Sequence, residues 1–291
     1  MRPERALFGL LLGRRLPTVT GTIEVPGVDG QVLIRRDRFG VPCIEAGDDH
    51  DAWFGLGFCQ GQDRAWQLES LLRVVRGTLA ALIGDDGVPV DRVARRIGWH
   101  RSAQGQLAVL GDSERAVIEA FAAGVTQGAR RGSSRLAHEF TLLRSGPTPY
   151  EAADVLGISK LMAFVLSSNW DVELARLAIL SRDGPAALAC VDPAYEQWAG
   201  LFSPEPAGAT AALHRLADEI GALTSLTGIG GGSNNWAIAP EHTKSGRPIV
   251  ASDPHLEPIL PNHWYLAHVR TPRWAVAGAA LAGTPTFAVA H

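Results

Sequence analysis

Ser233 is the residue at which chemistry is most readily written. It closes the tract Gly228-Ile229-Gly230-Gly231-Gly232-Ser233, and an apolar, β-like run begins directly after it. Glycine leaves the Gly232–Ser233 peptide free to take conformations that other residues resist. Attack of the serine hydroxyl on the preceding carbonyl moves the acyl group from nitrogen to oxygen. Hydrolysis of that ester frees a chain beginning with Ser233. Such a residue holds a nucleophile, the hydroxyl, and a base, its own α-amino group. An α-amino group titrates at about 7.7–8.0, against about 10.4 for a lysine side chain. Only the former is substantially unprotonated near neutral pH, where a general base works best. Activation by an N-terminal amine is one variant of triad logic. The same tract has the composition of a flexible joint, so the glycines alone leave both readings open.

Other residue groups invite competing chemistry. His255, His263 and His268, with Asp253, could be read as metal ligands, but their spacing matches no common site and local polar contacts explain them as well. Gln62-Asp63-Arg64 looks catalytic in isolation. On a helix it reads as a polar anchor holding that helix to a sheet. Cys43, Cys59 and Cys190 are odd in number and widely spaced, which argues against a disulfide framework or a zinc knuckle and for small buried or half-buried thiols.

The elements that must position Ser233 follow from periodicity. TIEVPG (22–27), QVLIRRD (31–37) and RFGVPCIEA (38–46) alternate as strands. From Asp48 the period becomes helical, with Ala65, Leu68, Leu72 and Val75 on one stripe, Asp48 or Asp49 as cap and Gly84 as stop. Further helices are predicted at 113–130, 151–167 and 171–182, with Gly184-Pro185 stopping the last. Strands return in NNWAIAP, RPIVAS, HWYLAHVR, RWAVAGAAL and TFAVA. The resulting division is 1–204, short strands then helices; 205–232, a spacer that begins with prolines, holds a short amphipathic helix and ends in glycine; and 233–291, a β-rich region. The class is α+β.

Composition sets the outer bounds. A net charge of −3 and 46% hydrophobic residues give a sizeable core and no basic stripe, so nucleic acid is a poor partner. The arginines at 35, 36 and 38 and at 92, 95 and 96 read as solvated faces or local ion pairs. The N-terminus only mimics a signal peptide, because Arg14 and Arg15 interrupt its apolar run. No segment approaches the roughly 20 apolar residues of a membrane span. A soluble chain is expected, with the cytoplasm slightly favoured over periplasmic or extracellular locations.

The residues around Ser233 carry a resemblance. Gly232-Ser233-Asn234-Asn235-Trp236, Ser245-Gly246-Arg247-Pro248, Asp253-Pro254-His255-Leu256, Trp264-Tyr265 and His268 resemble the start of the β-chain in the penicillin acylase (penicillin amidase) family of N-terminal-nucleophile hydrolases. Upstream, Arg36-Asp37-Arg38-Phe39-Gly40-Val41-Pro42, Gln62-Asp63-Arg64-Ala65-Trp66-Gln67 and Arg76-Gly77-Thr78-Leu79 are similar to its α-chain signatures.

The resemblance implies an αββα sandwich with a helical α-chain portion. It implies self-cleavage at Gly232–Ser233, Ser233 as nucleophile and base, and His255 orienting the amine. Leu256 and Trp236 would line the acyl pocket, with Met162 and Leu166 of the 151–167 helix closing it; both would be core residues in any helical reading. Asn234 and Asn235 would tie down the strand behind the nucleophile. The implied activity is hydrolysis of a linear amide through an acyl-enzyme, on a small-molecule substrate pairing an apolar acyl chain with an amine. The implied assembly is an α/β heterodimer. No cofactor is assigned, since the family's calcium ligands come mostly from beyond residue 291. The family's oxyanion donors also lie beyond His291, so the reading includes a truncated sandwich, completed by a C-terminal chain or left as a non-catalytic module.

Overall fold

The computed structural model describes residues 13, 15–167, 169–192, 209–227, 232–256 and 258–291. The signal-like N-terminal run falls almost wholly outside these, as do most of the glycine tract and the prolines of the spacer.

Strands β1 (Leu33–Arg36) and β2 (Pro42–Glu45) pair antiparallel. Asp37 makes their turn: its Oδ1 accepts the N–H groups of Phe39 at 2.8 Å and Val41 at 2.9 Å. Gly40 takes φ 82° there, a conformation that costs glycine little. TIEVPG does not become a strand; residues 22–25 are irregular and Pro26-Gly27 turns the chain at φ 86° for Gly27. Alternation alone promised a strand, but residues 22–25 join neither sheet, although β1 keeps one edge unpaired among the described residues.

The central helix α1 (Asp49–Arg76) begins where the Asp48 side chain accepts the Asp51 N–H at 2.9 Å and ends at Gly77 in the left-handed region. It is followed by α2 (Ala80–Ile83), α3 (Val88–Ile97), α4 (Trp99–Leu107), α5 (Asp112–Arg131), α6 (His138–Leu142), α7 (Ala152–Leu166), α8 (Trp170–Asp183), α9 (Pro185–Val191) and α10 (Ala209–Thr227). Helices α3 and α4 are additions to the expected set. Gly98, left-handed at φ 77°, divides them. Helix α10 is 19 residues long and packs on α3 and α8, so the 205–232 region contributes a docked helix as well as a connection.

The strands β3 (Ser233–Ile238), β4 (Ile249–Pro254), β5 (Trp264–Arg270), β6 (Ala275–Leu281) and β7 (Phe287–Ala290) follow. The main sheet runs β1-β2-β5-β6-β7. Its β2–β5 pair is parallel, with Cys43 opposite His268, so every helix of the described residues lies within one crossover. Tyr265, Ala267 and Val269 are buried on one face with Ile44, in the same core as Leu56, Cys59, Leu68 and Leu72 of α1. Leu266 and Arg270, on the other face, are exposed. The architecture is α+β: one helical layer on one sheet, plus the separate β3–β4 pair.

Helices α1 and α5 meet through glycine. A Cβ added to Gly57 or Gly61 would lie 2.1 or 2.2 Å from the carbonyl oxygen of Phe121 or Val125. One on Gly124 or Gly128 would lie 2.0 Å from that of Phe54 or Phe58. Each helix thus carries glycines four apart, one turn, on the contacting face.

Candidate active site

Ser233 is the first residue of β3, which pairs antiparallel with β4 so that Ser233 faces Pro254, Asn234 faces Asp253 and Trp236 faces Ala251. The ladder extends one step upstream: the His255 N–H donates to the Gly232 carbonyl at 2.9 Å. The carbonyl that Ser233 would attack is therefore held by a backbone donor contributed by a sequence-selected histidine. The His255 ring turns the other way, Nε2 lying 2.8 Å from Asp253 Oδ2. Asp253 thus orients the imidazole, while the main chain of His255 fixes the peptide. Both Gly232 and Ser233 are exposed, and a Cβ at Gly232 would meet nothing within 4 Å.

The acyl-pocket candidates divide. Leu256 packs against the main core, which includes Met162, Val165 and Trp99. Met162 is buried. Leu166 is the last residue of α7 and is 55% exposed, so it is not a core residue here: in that last turn Val165 is the residue that packs into the core. Trp236 is 54% exposed on the hairpin. The three histidines do not converge. His255 pairs with Asp253, His268 Nδ1 lies 3.3 Å from Cys43 Sγ, and His263 is buried beneath the start of β5. Among the described residues, Asp29, His50 and Asp51 are the one group whose ligand atoms come within 4.8 Å of one another. The Asp51 oxygens there already accept the N–H groups of Asp29 and Gly30 at 2.9 and 2.7 Å, which makes Asp51 a cap for that loop.

The Gln62-Asp63-Arg64 segment is the anchor its composition predicted. Asp63 Oδ2 accepts from Tyr265 Oη at 2.6 Å and from Arg36 at 2.8 Å. Burial and the neighbouring Cys59 and Asp63 charges push the Tyr265 phenol far above its ordinary range, so it remains a donor. Gln62 donates to the Thr18 and Gly132 carbonyls. Arg64 leaves helical geometry at φ −129°, ψ 23°, and donates to the Asn262 carbonyl at 3.0 Å, two residues before β5. Helix α1 thereby grips β1 and the entry to β5 together.

Two clamps escaped sequence reasoning. Gln60, fully buried, accepts the Gly283 N–H at 2.8 Å and donates to the Thr284 carbonyl, while Tyr150 Oη donates to the Gly283 carbonyl at 2.9 Å. Arg76 binds Asp154 with two bonds of 2.7 and 2.6 Å, joining α1 to α7. A polar side chain inside an apolar helical stripe was the available signal for Gln60.

The sequence is similar to those of known proteins. The family model described as penicillin amidase matches residues 31–291. The chain is 31% identical to a penicillin acylase 2 proenzyme of a Pseudomonas species over 284 residues, 94% of this chain and 36% of that protein. It is 30% identical to an acyl-homoserine lactone acylase of Pseudomonas aeruginosa, over 96% of this chain and 36% of the relative. The thermostable penicillin G acylase structure from Alcaligenes faecalis aligns at 28% identity and a TM-score of 0.47, covering 60% of this chain and 95% of that one. The chain spans about a third of the length of the curated relatives it matches. From the matched family model and the aligned proenzyme together, this chain belongs to the penicillin amidase family of acylases.

Proposed function

We propose that this chain carries the nucleophile-bearing part of an amide-hydrolysing acylase and that Ser233 does its chemistry twice. In the first use, Ser233 Oγ attacks the Gly232 carbonyl carbon. The C–N bond breaks, the nitrogen takes the hydroxyl proton and an ester links Gly232 to Oγ. Water hydrolyses that ester to a Gly232 carboxylate and a free Ser233 amine. The observation that carries the reading is the 2.9 Å bond from the His255 N–H to the Gly232 carbonyl. A donor on that oxygen favours the negative charge that develops on it during attack.

In the second use, the α-amine takes the Oγ proton as the hydroxyl adds to a substrate amide. The amine leaves with that proton, and water releases the acyl group. His255, held by Asp253, orients the new α-amine. Leu256 and Met162 line the acyl side, Leu166 and Trp236 sit at its rim, and Asn234 and Asn235 hold β3 behind the nucleophile. The acyl group is apolar. The relatives' names direct the choice of amine toward a penicillin nucleus or a homoserine lactone. The α- and β-parts stay together as a heterodimer, or a further C-terminal chain completes the site.

The experiment is acid quenching of a turnover mixture with a chromogenic acyl-anilide, with and without the complementing C-terminal region of a relative, followed by peptide mapping. The acyl group is expected on the peptide that begins with Ser233. Acylation elsewhere, or hydrolysis undiminished in Ser233→Ala, overturns the reading. Absence of hydrolysis in every mixture supports a non-catalytic module instead.

A further inference from the structure

The main sheet carries a thiol beside an imidazole on the face turned away from α1. Cys43 of β2 stands opposite His268 of β5, and Cys43 Sγ lies 3.3 Å from His268 Nδ1. Their strand neighbours Ile44, Ala267 and Val269 point into the core, so by alternation Cys43 and His268 share the outer face. The same row continues on both sides. Arg35 of β1 opposes Cys43, Ala277 of β6 opposes His268, and His291 exchanges two main-chain hydrogen bonds with Ala277. In the adjoining row Glu45 opposes Arg270, and Glu45 Oε1 accepts from Arg35 at 2.6 Å. The charged and titratable groups that share these two rows with the thiol are thus Arg35, Glu45, His268, Arg270 and His291. A shallow cavity of about 450 Å³ opens beside the pair over the small residues of β6, lined by Val41, Leu266, His268, Ala277, Ala279 and Val289. Cavities that take small molecules begin at about 300 Å³.

The three cysteines differ in their surroundings. Cys59 is fully buried, and burial pushes its thiol up to about 12. Cys190, at the end of α9, is exposed. Cys43 is half-buried and has a base in contact with its sulfur. The thiolate is the nucleophilic form of cysteine, and an imidazole within hydrogen-bond reach can take the proton as the sulfur attacks. We propose that Cys43 and His268 form a reactive thiol–imidazole pair, a modification site at which Cys43 exchanges with small-molecule disulfides seated in the adjoining cavity. In the tautomer protonated at Nε2, His268 Nδ1 accepts the Sγ–H and then takes its proton. Sγ attacks one sulfur of the disulfide R–S–S–R, and the S–S bond breaks. The departing RS⁻ takes the proton back from the imidazolium and leaves as RSH. The Cys43 sulfur is oxidised to the mixed disulfide, and the departing sulfur is reduced by the same two electrons. Neither residue belongs to the β3–β4 pair that carries Ser233, so the site is independent of the acylase reading.

The test is the rate of reaction of the full chain with dithiodipyridine, an uncharged disulfide, followed by the absorbance of the released thiopyridone and located by peptide mapping. Cys190→Ser reports Cys43, and Cys43→Ser reports Cys190 as the reference thiol. An unassisted thiol is only about 1% thiolate at pH 6.5, so a paired one has up to about a hundredfold to gain. At pH 6.5 Cys43 is expected to react at least about tenfold faster than Cys190. A smaller ratio, or modification mapped elsewhere, overturns the proposal. This comparison leaves His268 intact and stands without any change there. In the Cys190→Ser background, His268→Gln is expected to slow Cys43 by more than about fivefold at pH 6.5. At pH 9.5, where thiols ionise without a base, the same variant is expected to react within about threefold of its parent. No slowing at pH 6.5 overturns the role of His268 as base. Equal slowing at both pH values overturns it too, because it shows that His268 governs access to the sulfur rather than its proton.

Discussion

Replacing Gly124 by alanine tests the packing that supports the whole site. In an exposed helix interior, glycine to alanine stabilises by roughly 0.5–1 kcal/mol, because alanine has less backbone freedom to lose. At Gly124 the new Cβ would stand 2.0 Å from the Phe54 carbonyl oxygen and 2.9 Å from the Phe58 nitrogen. Ordinary contact begins near 3.4 Å. Helices α1 and α5 must therefore separate by about 1 Å or more, which forfeits much of the dispersion along their shared face. Overpacking of this kind costs about 1–3 kcal/mol, and here the obstruction is backbone that no rotamer change can move. Because the obstruction is backbone, the upper end of that range applies, and the net expectation for Gly124→Ala is a loss of about 2–2.5 kcal/mol once the propensity gain is subtracted. Gly105, in α4, is the control: a Cβ there meets nothing within 4 Å. Gly105→Ala should gain about 0.5–1 kcal/mol. Urea unfolding followed by far-ultraviolet circular dichroism separates the two, and melting temperature should fall by roughly 2–4 °C per kcal/mol lost. If Gly124→Ala is as stable as Gly105→Ala, the close α1–α5 approach is wrong.

Three further expectations can be checked with the same material. Desolvation raises the Asp51 carboxyl, but the Asp29 N–H, His50 and the Gly30 N–H outweigh it and hold the group below its ordinary value. Its contribution is thus present above about pH 4 and lost as pH falls toward the folded-state value. Asp51→Asn should cost about 1–2 kcal/mol at pH 7 and flatten the acid limb of a stability profile; a variant with an unchanged acid limb refutes this. Burial pushes the Cys59 thiol up to about 12, so in a Cys43→Ser background a disulfide reagent at pH 8 should modify exposed Cys190 and spare Cys59 until urea is added. Tyr265→Phe removes one of two donors to Asp63 and should cost about 1.5–3 kcal/mol by urea titration, whereas a loss below 0.5 kcal/mol would show that Arg36 alone satisfies the carboxylate.

Much of this fold is legible in sequence because its strands and long helices keep a clean period. The runs from Ser233 to Ala290 alternate and form β3 through β7 at the expected places. Asp48 caps α1 as its chemistry requires. What stayed hidden depends on partners distant in sequence. TIEVPG alternates but joins neither sheet. Arg92, Arg95 and Arg96 read as a solvated face or local ion pairs and are indeed exposed, but the helix α3 that carries them was not among the expected ones. Its buried Val90, Val93 and Ala94 and the Glu219 that two of those arginines hold become visible only when α10 is placed beside it. Leu166 shows the reverse error: the helix forms as expected, but in its last turn Val165 packs into the core and Leu166 does not. The glycine tract before Ser233 has the composition of a flexible joint, and the nucleophile reading from sequence rests on the motifs around it. The structural observation on which the proposed nucleophile rests is the His255 main-chain donor, which no local pattern reveals, because it requires β4 to return antiparallel along β3.

The most direct measurement is the intact mass and N-terminal sequence of the purified protein, beside those of Ser233→Ala. The account predicts two polypeptides for the parent, one of them beginning Ser-Asn-Asn-Trp, and a single uncut chain for the variant. A parent that hydrolyses acyl-amides while residues 232 and 233 remain joined would contradict it.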